Sequence, residues 1–163
     1  MPSKKATEPA ILALRRAHPE EASELTRIAF AAKRYWGYPE ELIQLWRDEL
    51  TLTPAYVRQH LTYVAEANGI LGLFVLEDHG AFLELAHVWV EPSHIGKGIG
   101  TLLLRKALQL ARERGVECVR TVSDPNAEGF YSKLGARRVG RQASKPTGRT
   151  LPVLEFVLDT TPA

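Results

Sequence analysis

The chain has 163 residues, of which 45% are hydrophobic and 25% charged, a balance typical of one globular domain with a single core. Its formal net charge of +2 argues against binding to nucleic acid or to an anionic membrane surface. The single cysteine excludes an intrachain disulfide, and no signal peptide or membrane-length apolar run is present. We therefore expect residues 1–163 to form one domain in the cytoplasm, with residues 1–9 as a flexible N-terminus.

The first third of the chain is predicted to alternate a short strand with helical segments. A strand is predicted over residues 10–17, and Pro19 then begins a helix with an acidic first turn and apolar residues at helical spacing. The aromatic stretch from Tyr35 to Pro39 ends this helix. A second helical pattern continues through Leu50, and Pro54 begins a further short turn of helix.

The remainder of the chain is predicted to be mainly strands. Asn68-Gly69 supplies the positive φ angles of a tight hairpin turn. The predicted strands cover residues 61–66, 70–77, 81–90, 116–123, 136–142 and 151–158, and the predicted helices cover 98–114 and a segment from 125 onward. This order predicts an α+β (mixed α/β) fold, with a central mixed, mainly antiparallel sheet of about seven strands and helices on both faces.

The run from Val88 to Leu104 is the most informative segment, because a β-branched strand leads through three glycines into a helix. Gly96, Gly98 and Gly100 let the backbone approach a ligand closely, and the helix start offers free N–H groups and the positive end of its dipole. The pattern predicts a site for a phosphate-bearing ligand. A flexible turn without a ligand is the alternative interpretation.

Spacing separates three phosphate-binding motifs that use such a turn. The nucleoside-triphosphate loop is excluded, because no Gly-Lys-Ser or Gly-Lys-Thr occurs. The dinucleotide fingerprint of oxidoreductases is disfavoured, because Thr101 or Leu103 replaces its third glycine. The segment Ile95-Gly96-Lys97-Gly98-Ile99-Gly100 instead resembles the pyrophosphate loop of the GNAT superfamily of acetyl-CoA-dependent N-acetyltransferases, Arg/Gln-x-x-Gly-x-Gly/Ala, except at Ile95.

A second segment, from Asp124 to Ala136, carries the same resemblance. It is similar to the GNAT pattern Asn-x-x-Ala-x-x-Phe-Tyr-x-x-x-Gly-Phe, with Asp124 in place of the usual asparagine. The resemblance, specific over residues 82–136, implies a GNAT-like fold and makes Tyr131 the general acid that protonates the departing CoA thiolate. It also assigns a pantetheine contact to Asn126. A core aromatic residue is the alternative interpretation of Tyr131.

The resemblance places most of the coenzyme site on the strand and on the glycine loop. The backbone of the strand would contact pantetheine and the acetyl carbonyl. Because Ile95 cannot bond phosphate, Lys97 and the loop amides would bind the diphosphate. The implied acetyl-CoA contacts are Val88, Trp89, Val90, Gly96, Lys97, Gly98, Ile99, Gly100, Thr101, Asn126 and Tyr131, and no metal is expected.

The amine acceptor must lose a proton, so the strand should also supply a base. Several family members have a glutamate at the position that matches Glu84, while His87 and a water chain remain open. A solvated carboxylate and a structural histidine are the alternatives. Strict strand alternation would place Glu84 with Ala86, and His87 with Trp89 on the opposite face, unless a bulge intervenes.

The acceptor side is implied to lie at the first two helices and their connecting loop. Tyr35, Trp36 and Tyr38 are the predicted substrate-binding residues, and an aromatic wall would suit an apolar or cationic amine. Ordinary packing is the alternative interpretation. The resemblance implies acetyl transfer to a primary amine, of a small molecule rather than a protein, by direct attack in a ternary complex. A protein N-terminal or lysine acetyltransferase and a non-catalytic acyl-CoA-binding domain remain open, as does a homodimer.

Overall fold

A computed structural model describes residues 11–144 and 147–159, so the predicted flexible N-terminus lies outside the described residues. Its strands form one mixed sheet in the order β1-β2-β3-β4-β5-β7-β6, in which only β4 and β5 are parallel neighbours. The strands are β1 (Ala13–Arg16), β2 (Leu61–Glu66), β3 (Ile70–Asp78), β4 (Leu83–Val90), β5 (Cys118–Val122), β6 (Arg137–Ala143) and β7 (Thr150–Val157). The predicted mixed, mainly antiparallel sheet is confirmed.

Helices cover both faces of this sheet. They are α1 (Ala22–Tyr35), α2 (Glu40–Leu45), α3 (Arg47–Leu50), α4 (Pro54–Gln59), α5 (Ile99–Glu113) and α6 (Glu128–Lys133). Two predicted helix starts are wrong. Pro19–Glu21 forms a 3-10 turn before α1, and Asp124 Oδ1 accepts a hydrogen bond from the Asn126 N–H, which forms a turn before α6. Within the described residues, no helix has the length and apolar character that a membrane crossing requires.

The sheet separates two apolar cores. On one face, α5 packs its stripe of apolar residues, including Leu103 and Leu104, against β3 and β4. On the other face, α1 contributes Leu25 and Ile28, and the helices after it contribute Ile43. Each fully buried leucine or isoleucine stabilises the fold by roughly 1.5–3 kcal/mol. The two cores therefore fix α1 and α5 on opposite sides of the same strands.

Gly72 on β3 sets how closely α5 approaches the sheet. A Cβ atom at this position would lie 2.8 Å from the Trp89 carbonyl oxygen and 3.0 Å from Leu103 Cδ1, so no side chain fits without a shift. Gly72 pairs with Val90, the last residue of β4. The glycine thus holds α5 directly against the strand that precedes its own N-terminus.

A β-bulge in β4 changes which side chains share a face. Val75 pairs with His87 and Leu76 pairs with Leu85, so Ala86 is the extra residue. Strict alternation is therefore wrong beyond this point. Glu84 lies on the α1 side of the sheet together with His87 and Trp89, whereas Leu85, Val88 and Val90 belong to the α5 side.

Candidate functional site

A cleft opens where β4 and β5 part. The two strands pair only at Leu83 with Val119 and at Glu84 with Arg120. The hydroxyl of Thr121 then donates a 2.9 Å hydrogen bond to the Leu85 carbonyl oxygen, and beyond this bond the strands diverge. The cleft has a volume of about 450 Å³, and both strand ends, the glycine loop and α6 line it.

The glycine loop closes one end of the cleft. Gly96 and Gly98 both have φ of +83°, a left-handed conformation that disfavours residues with a Cβ atom. Gly98 is the N-cap of α5, so the free N–H groups of the first helical turn face this end. Gly100 packs close to Phe130, since an added Cβ would lie 3.3 Å from the Phe130 ring. The arrangement is that of an anion site made from backbone.

The predicted coenzyme contacts fall into two groups in the structure. Those that line the cleft are Val88, Trp89, Val90, Gly96, Gly98, Ile99, Gly100, Thr101, Asn126 and Tyr131. Lys97 is not part of the lining, and its side chain is exposed. Ile95, which replaces the usual phosphate-binding residue, lines the loop end. Backbone N–H groups are therefore the main anion-binding groups within the cleft lining.

Tyr131 lies in the wall of the cleft, on α6. Its ring is buried against Phe130 and Phe156, with ring centroids 5.3 and 6.3 Å away. Burial raises the pKa of Tyr131 to about 12, against the opposing effect of a hydrogen bond with Thr121. The phenol therefore stays protonated at neutral pH and is present in the cleft wall as a hydrogen-bond donor.

Glu84 lies just outside the cleft, one residue before the lining begins at Leu85. It shares the α1 face with Glu77, and burial, together with the nearby charge of Glu77, raises the pKa of Glu84. His79 approaches both carboxylates, at 3.6 Å from Glu77 and 3.8 Å from Glu84. One potential metal-ligand atom from each of these three residues lies within 4.8 Å of the others. Nothing further in the described residues points to a metal there.

Tyr56 on α4 is a polar neighbour of this group that the sequence analysis missed. Its hydroxyl donates a 2.5 Å hydrogen bond to Glu77 Oε2, and its ring meets His87 edge-on with centroids 5.8 Å apart. Burial and the bond to Glu77 raise the pKa of Tyr56, so its phenol remains a donor. A tyrosine at the start of a short helix carries no sequence signal for this role.

His87 lines the cleft and is held by Trp89, two residues along the same strand. The Trp89 indole N–H donates a 2.8 Å hydrogen bond to His87 Nδ1. Burial lowers the pKa of His87 to about 4, although Glu77 opposes this shift. The imidazole is consequently neutral at physiological pH.

The three predicted acceptor aromatics occupy different environments. Trp36, at the end of α1, lines the cleft, and Tyr35 packs edge-on against Trp36 but is not part of the lining. Tyr38 is hydrogen-bonded through its hydroxyl to Asp124, at 2.9 and 3.1 Å from the two carboxylate oxygens. Of the three, only Trp36 therefore presents a surface directly to the cleft.

Tyr38 belongs to an ionic cluster of Lys33, Tyr38, Asp124 and Arg149. The Lys33 ammonium lies 2.5 Å from Asp124 Oδ2, and both side chains are about nine-tenths buried. Arg149 donates to the Tyr38 hydroxyl at 2.9 Å and lies 3.7 Å from Asp124. The cluster joins α1, the loop after it, the end of β5 and the β6–β7 hairpin at the edge of the cleft.

The ionic cluster contains two cations and one carboxylate. Burial lowers the pKa of Lys33 despite its bond to Asp124. Burial alone would raise the pKa of Asp124, but hydrogen bonds from Lys33 and the Asn126 N–H outweigh it, so that this pKa is lowered. Lys33 and Arg149 also lie over the Trp46 ring, 4.6 and 4.5 Å from its centroid. Side chains of the protein itself thus occupy the ring faces of Tyr38 and Trp46 that could otherwise bind a cation.

One sequence signal for the ionic cluster was available. Lys33 follows Ala29 by four residues and occupies the apolar stripe of α1, where a charged residue requires a buried partner. Arg149 gives no such signal, because its sequence neighbours are polar residues, a proline and a glycine between two predicted strands, where an exposed loop is the ordinary expectation.

Three comparisons with known proteins bear on this site. The chain matches the Acetyltransferase (GNAT) family over residues 21–136. It is 31% identical to human N-acetyltransferase 8B over an alignment 131 residues long. The alignment covers 73% of this chain but only 57% of that protein's length. It is 28% identical to the Escherichia coli peptidyl-lysine N-acetyltransferase YjaB over 154 residues, covering 90% of this chain and 96% of YjaB.

The fold is also similar to solved structures. PaiA N-acetyltransferase from Thermoplasma acidophilum, determined in complex with coenzyme A, superposes with a TM-score of 0.75 at 20% sequence identity. The superposition covers 91% of this chain and 99% of that one. This similarity confirms the predicted architecture.

Proposed function

Because the chain belongs to the GNAT acetyltransferase family, we propose that it transfers the acetyl group of acetyl-CoA to a primary amine by direct attack in a ternary complex. One observation carries the proposal. A single cleft is lined by a backbone anion site, by a strand edge without a partner strand, and by a buried protonated phenol. These are the groups needed to bind a diphosphate, align an extended thioester and protonate a thiolate.

Acetyl-CoA fits the shape and chemistry of this cleft. Its diphosphate would lie at the N-terminus of α5, where the positive φ angles of Gly96 and Gly98 keep side chains away from the amides. Pantetheine would extend along the open edge of β4 after the bulge and bond to free backbone groups from Val88 to Val90. Tyr131 would then donate its phenolic proton to the CoA sulfur as the C–S bond breaks.

We assign proton removal from the acceptor ammonium to Glu84, through a water molecule. Glu84 has a raised pKa and lies one residue outside the cleft lining, which favours an indirect transfer. Glu77 shares the face with Glu84 and would stabilise a proton held between the two carboxylates. Trp36 would pack against the acceptor at the open side of the cleft.

Two acceptor classes follow from different observations. A small-molecule amine is our first proposal, because Trp36 lines the cleft and its ring can pack against a small apolar or cationic amine. A lysine side chain of a peptide is the second, because YjaB, which is similar over nearly its whole length, is named a peptidyl-lysine N-acetyltransferase. Acceptors of both classes present a primary amine, so the same acetyl-transfer chemistry serves either class.

The test begins with binding and then measures turnover. Calorimetry should detect association with acetyl-CoA but not with ATP or NAD, and amine screening should detect release of free CoA thiol. Mass spectrometry of small amines and lysine peptides incubated in parallel identifies the acceptor. No association with acetyl-CoA at saturation would overturn the proposal. Association without thiol release for any amine would instead favour a non-catalytic acyl-CoA-binding domain.

A further inference from the structure

We propose that His87 is a neutral hydrogen-bond donor to a carbonyl-type oxygen of a bound reactant, held in this role by Trp89, and that it is not the base. This inference rests on the proposed acetyl transfer and deepens it. It divides the two titratable candidates on β4 into different roles, with Glu84 as the base and His87 as a donor through Nε2–H.

The hydrogen bond between the two side chains fixes the tautomer of His87. An indole N–H can only donate, so Nδ1 of His87 must accept the 2.8 Å bond from Trp89. A neutral imidazole with an accepting Nδ1 carries its proton on Nε2. Accepting a substrate proton at Nδ1 would break the Trp89 bond, and Nε2 has no free lone pair. The ring is therefore prepared to donate.

The contrast with a catalytic histidine dyad supports this assignment. In such dyads a carboxylate accepts from Nδ1–H, which orients the ring and stabilises the imidazolium formed when Nε2 takes up a proton. Here a donor occupies the place of that carboxylate, so the imidazolium would be destabilised. Burial acts in the same direction by lowering the pKa of His87.

The groups around the His87 ring do not supply the missing carboxylate. Glu77 on β3 is the charged neighbour whose field favours the imidazolium, but its Oε2 accepts the hydrogen bond of Tyr56. The rings of Tyr56 and His87 are nearly perpendicular, and the other ring contact of Tyr56 is His60, the residue after α4. Glu84 lies on the same face of β4, before the bulge. Among the described contacts, only Trp89 bonds to the imidazole nitrogens.

The position of His87 explains what it would bind. The Ala86 bulge turns His87 toward the α1 side of the sheet, where it lines the cleft on the side from which an acceptor would approach. The partner is then either the acetyl carbonyl or an oxygen of the acceptor. The same donor chemistry serves both, and kinetics can distinguish them.

The first experiment needs no substrate. Long-range ¹H–¹⁵N NMR of the full chain, with His87 assigned through a His87→Gln variant, should show a neutral Nε2–H tautomer from pH 5 to 8. Trp89→Phe removes the indole donor and should let the ring populate the other tautomer or the imidazolium. An Nδ1–H tautomer, or a wild-type ring that titrates near pH 6.5, would overturn the proposal.

The second experiment measures turnover with variants that separate donor from base. His87→Gln retains an N–H donor and should therefore retain more activity than His87→Ala, which has none. A roughly 100-fold loss of kcat with every acceptor indicates the acetyl oxygen, and a roughly tenfold rise in acceptor KM indicates an acceptor oxygen. Equal loss in both variants of an active wild type refutes the donor role. An inactive wild type that fails to bind acetyl-CoA refutes the proposed function instead, and leaves the NMR result to decide the tautomer.

Discussion

The two ends of the cleft are built in different ways. One end, the proposed coenzyme end, is formed by the glycine loop and the start of α5. These two segments are adjacent in the sequence and would bind the coenzyme through backbone groups. The other end, the proposed acceptor end, is bordered by the ionic cluster. There Lys33 and Tyr38 form hydrogen bonds with Asp124 across sequence separations of 91 and 86 residues, and Arg149 forms one with Tyr38 across 111 residues. A short motif can therefore specify the first end, whereas the folded chain alone assembles the second. Binding of the coenzyme should therefore depend mainly on the backbone of the glycine loop, whereas the stability of the acceptor end should depend on its charged side chains.

The sharpest test of this contrast is the substitution Asp124→Asn. It removes the carboxylate that is hydrogen-bonded to the buried Lys33 and leaves only the more distant charge of Glu49, so we expect the free energy of unfolding to fall by about 3–5 kcal/mol in urea denaturation. The matched control is Glu128→Gln, which removes the partner of the more exposed Arg138 and should cost at most about 1 kcal/mol. A loss no larger than that of the control would mean that the ionic cluster does not stabilise the acceptor end.

The pH dependence of stability should reveal how strongly partial burial disfavours protonation of His87. Because burial lowers its pKa from 6.5 to about 4, the unfolded chain binds a proton between these values that the folded chain does not. The contribution of His87 to stability is therefore complete above pH 6.5 and falls by about 3 kcal/mol as the pH approaches 4. Glu84 opposes this trend, since its pKa is raised.

The contribution of His87 is isolated by comparing the free energy of unfolding of the wild type with that of His87→Gln, measured by denaturation at several pH values. The difference should change steadily between pH 6.5 and 4 and stay constant above pH 7. A constant difference over the whole range would mean that the imidazole remains hydrated.

Tyr131→Phe tests a side chain that reaches into the coenzyme end. Removing the phenol should lower kcat by roughly 100-fold, since proton donation matters only in the transition state, and should leave the Kd for acetyl-CoA nearly unchanged. Tyr63→Phe is the control, because Tyr63 stacks on Phe74 and is not part of the cleft lining. An unchanged kcat would remove the acid role from Tyr131.

The smallest expected effect concerns the backbone of the glycine loop. Gly98→Ala should weaken acetyl-CoA binding by about tenfold, because a Cβ atom strains the left-handed conformation and, although it meets no protein atom within 4 Å, would enter the space of the cleft that the diphosphate needs. Gly80 has almost the same φ, +82°, away from the cleft and with nothing within 4 Å of an added Cβ. Gly80→Ala should cost similar stability, about 1 kcal/mol, with no change in calorimetric affinity. Equal affinities for the two variants would mean that the loop does not contact the coenzyme.

Sequence patterns predicted the fold and the position of the glycine loop at the start of α5, and the coenzyme contacts assigned to that loop stay a prediction. Hydrophobic periodicity, the Asn68-Gly69 turn and the glycine spacing are local properties, and each predicted element has a counterpart in the structure. The bulge at Ala86 could not be located, because a small apolar residue is equally compatible with a regular strand. The partner of Lys33 could not be identified either, since pairing across 91 residues depends on the packed helices and not on any spacing in the chain.

Gly72 has a consequence beyond packing. In the complex proposed above, a pantetheine arm of limited length joins the diphosphate at the helix tip to the thioester at the phenol, so the helix tip and the phenol would have to stay a matching distance apart. Since one absent methyl group lets α5 rest on β3, that position acts as a spacer for the whole reaction path. Filling it would push aside the Trp89 carbonyl of β4 or the Leu103 side chain of α5, and a coenzyme bound at its diphosphate would then present its thioester out of line with Tyr131.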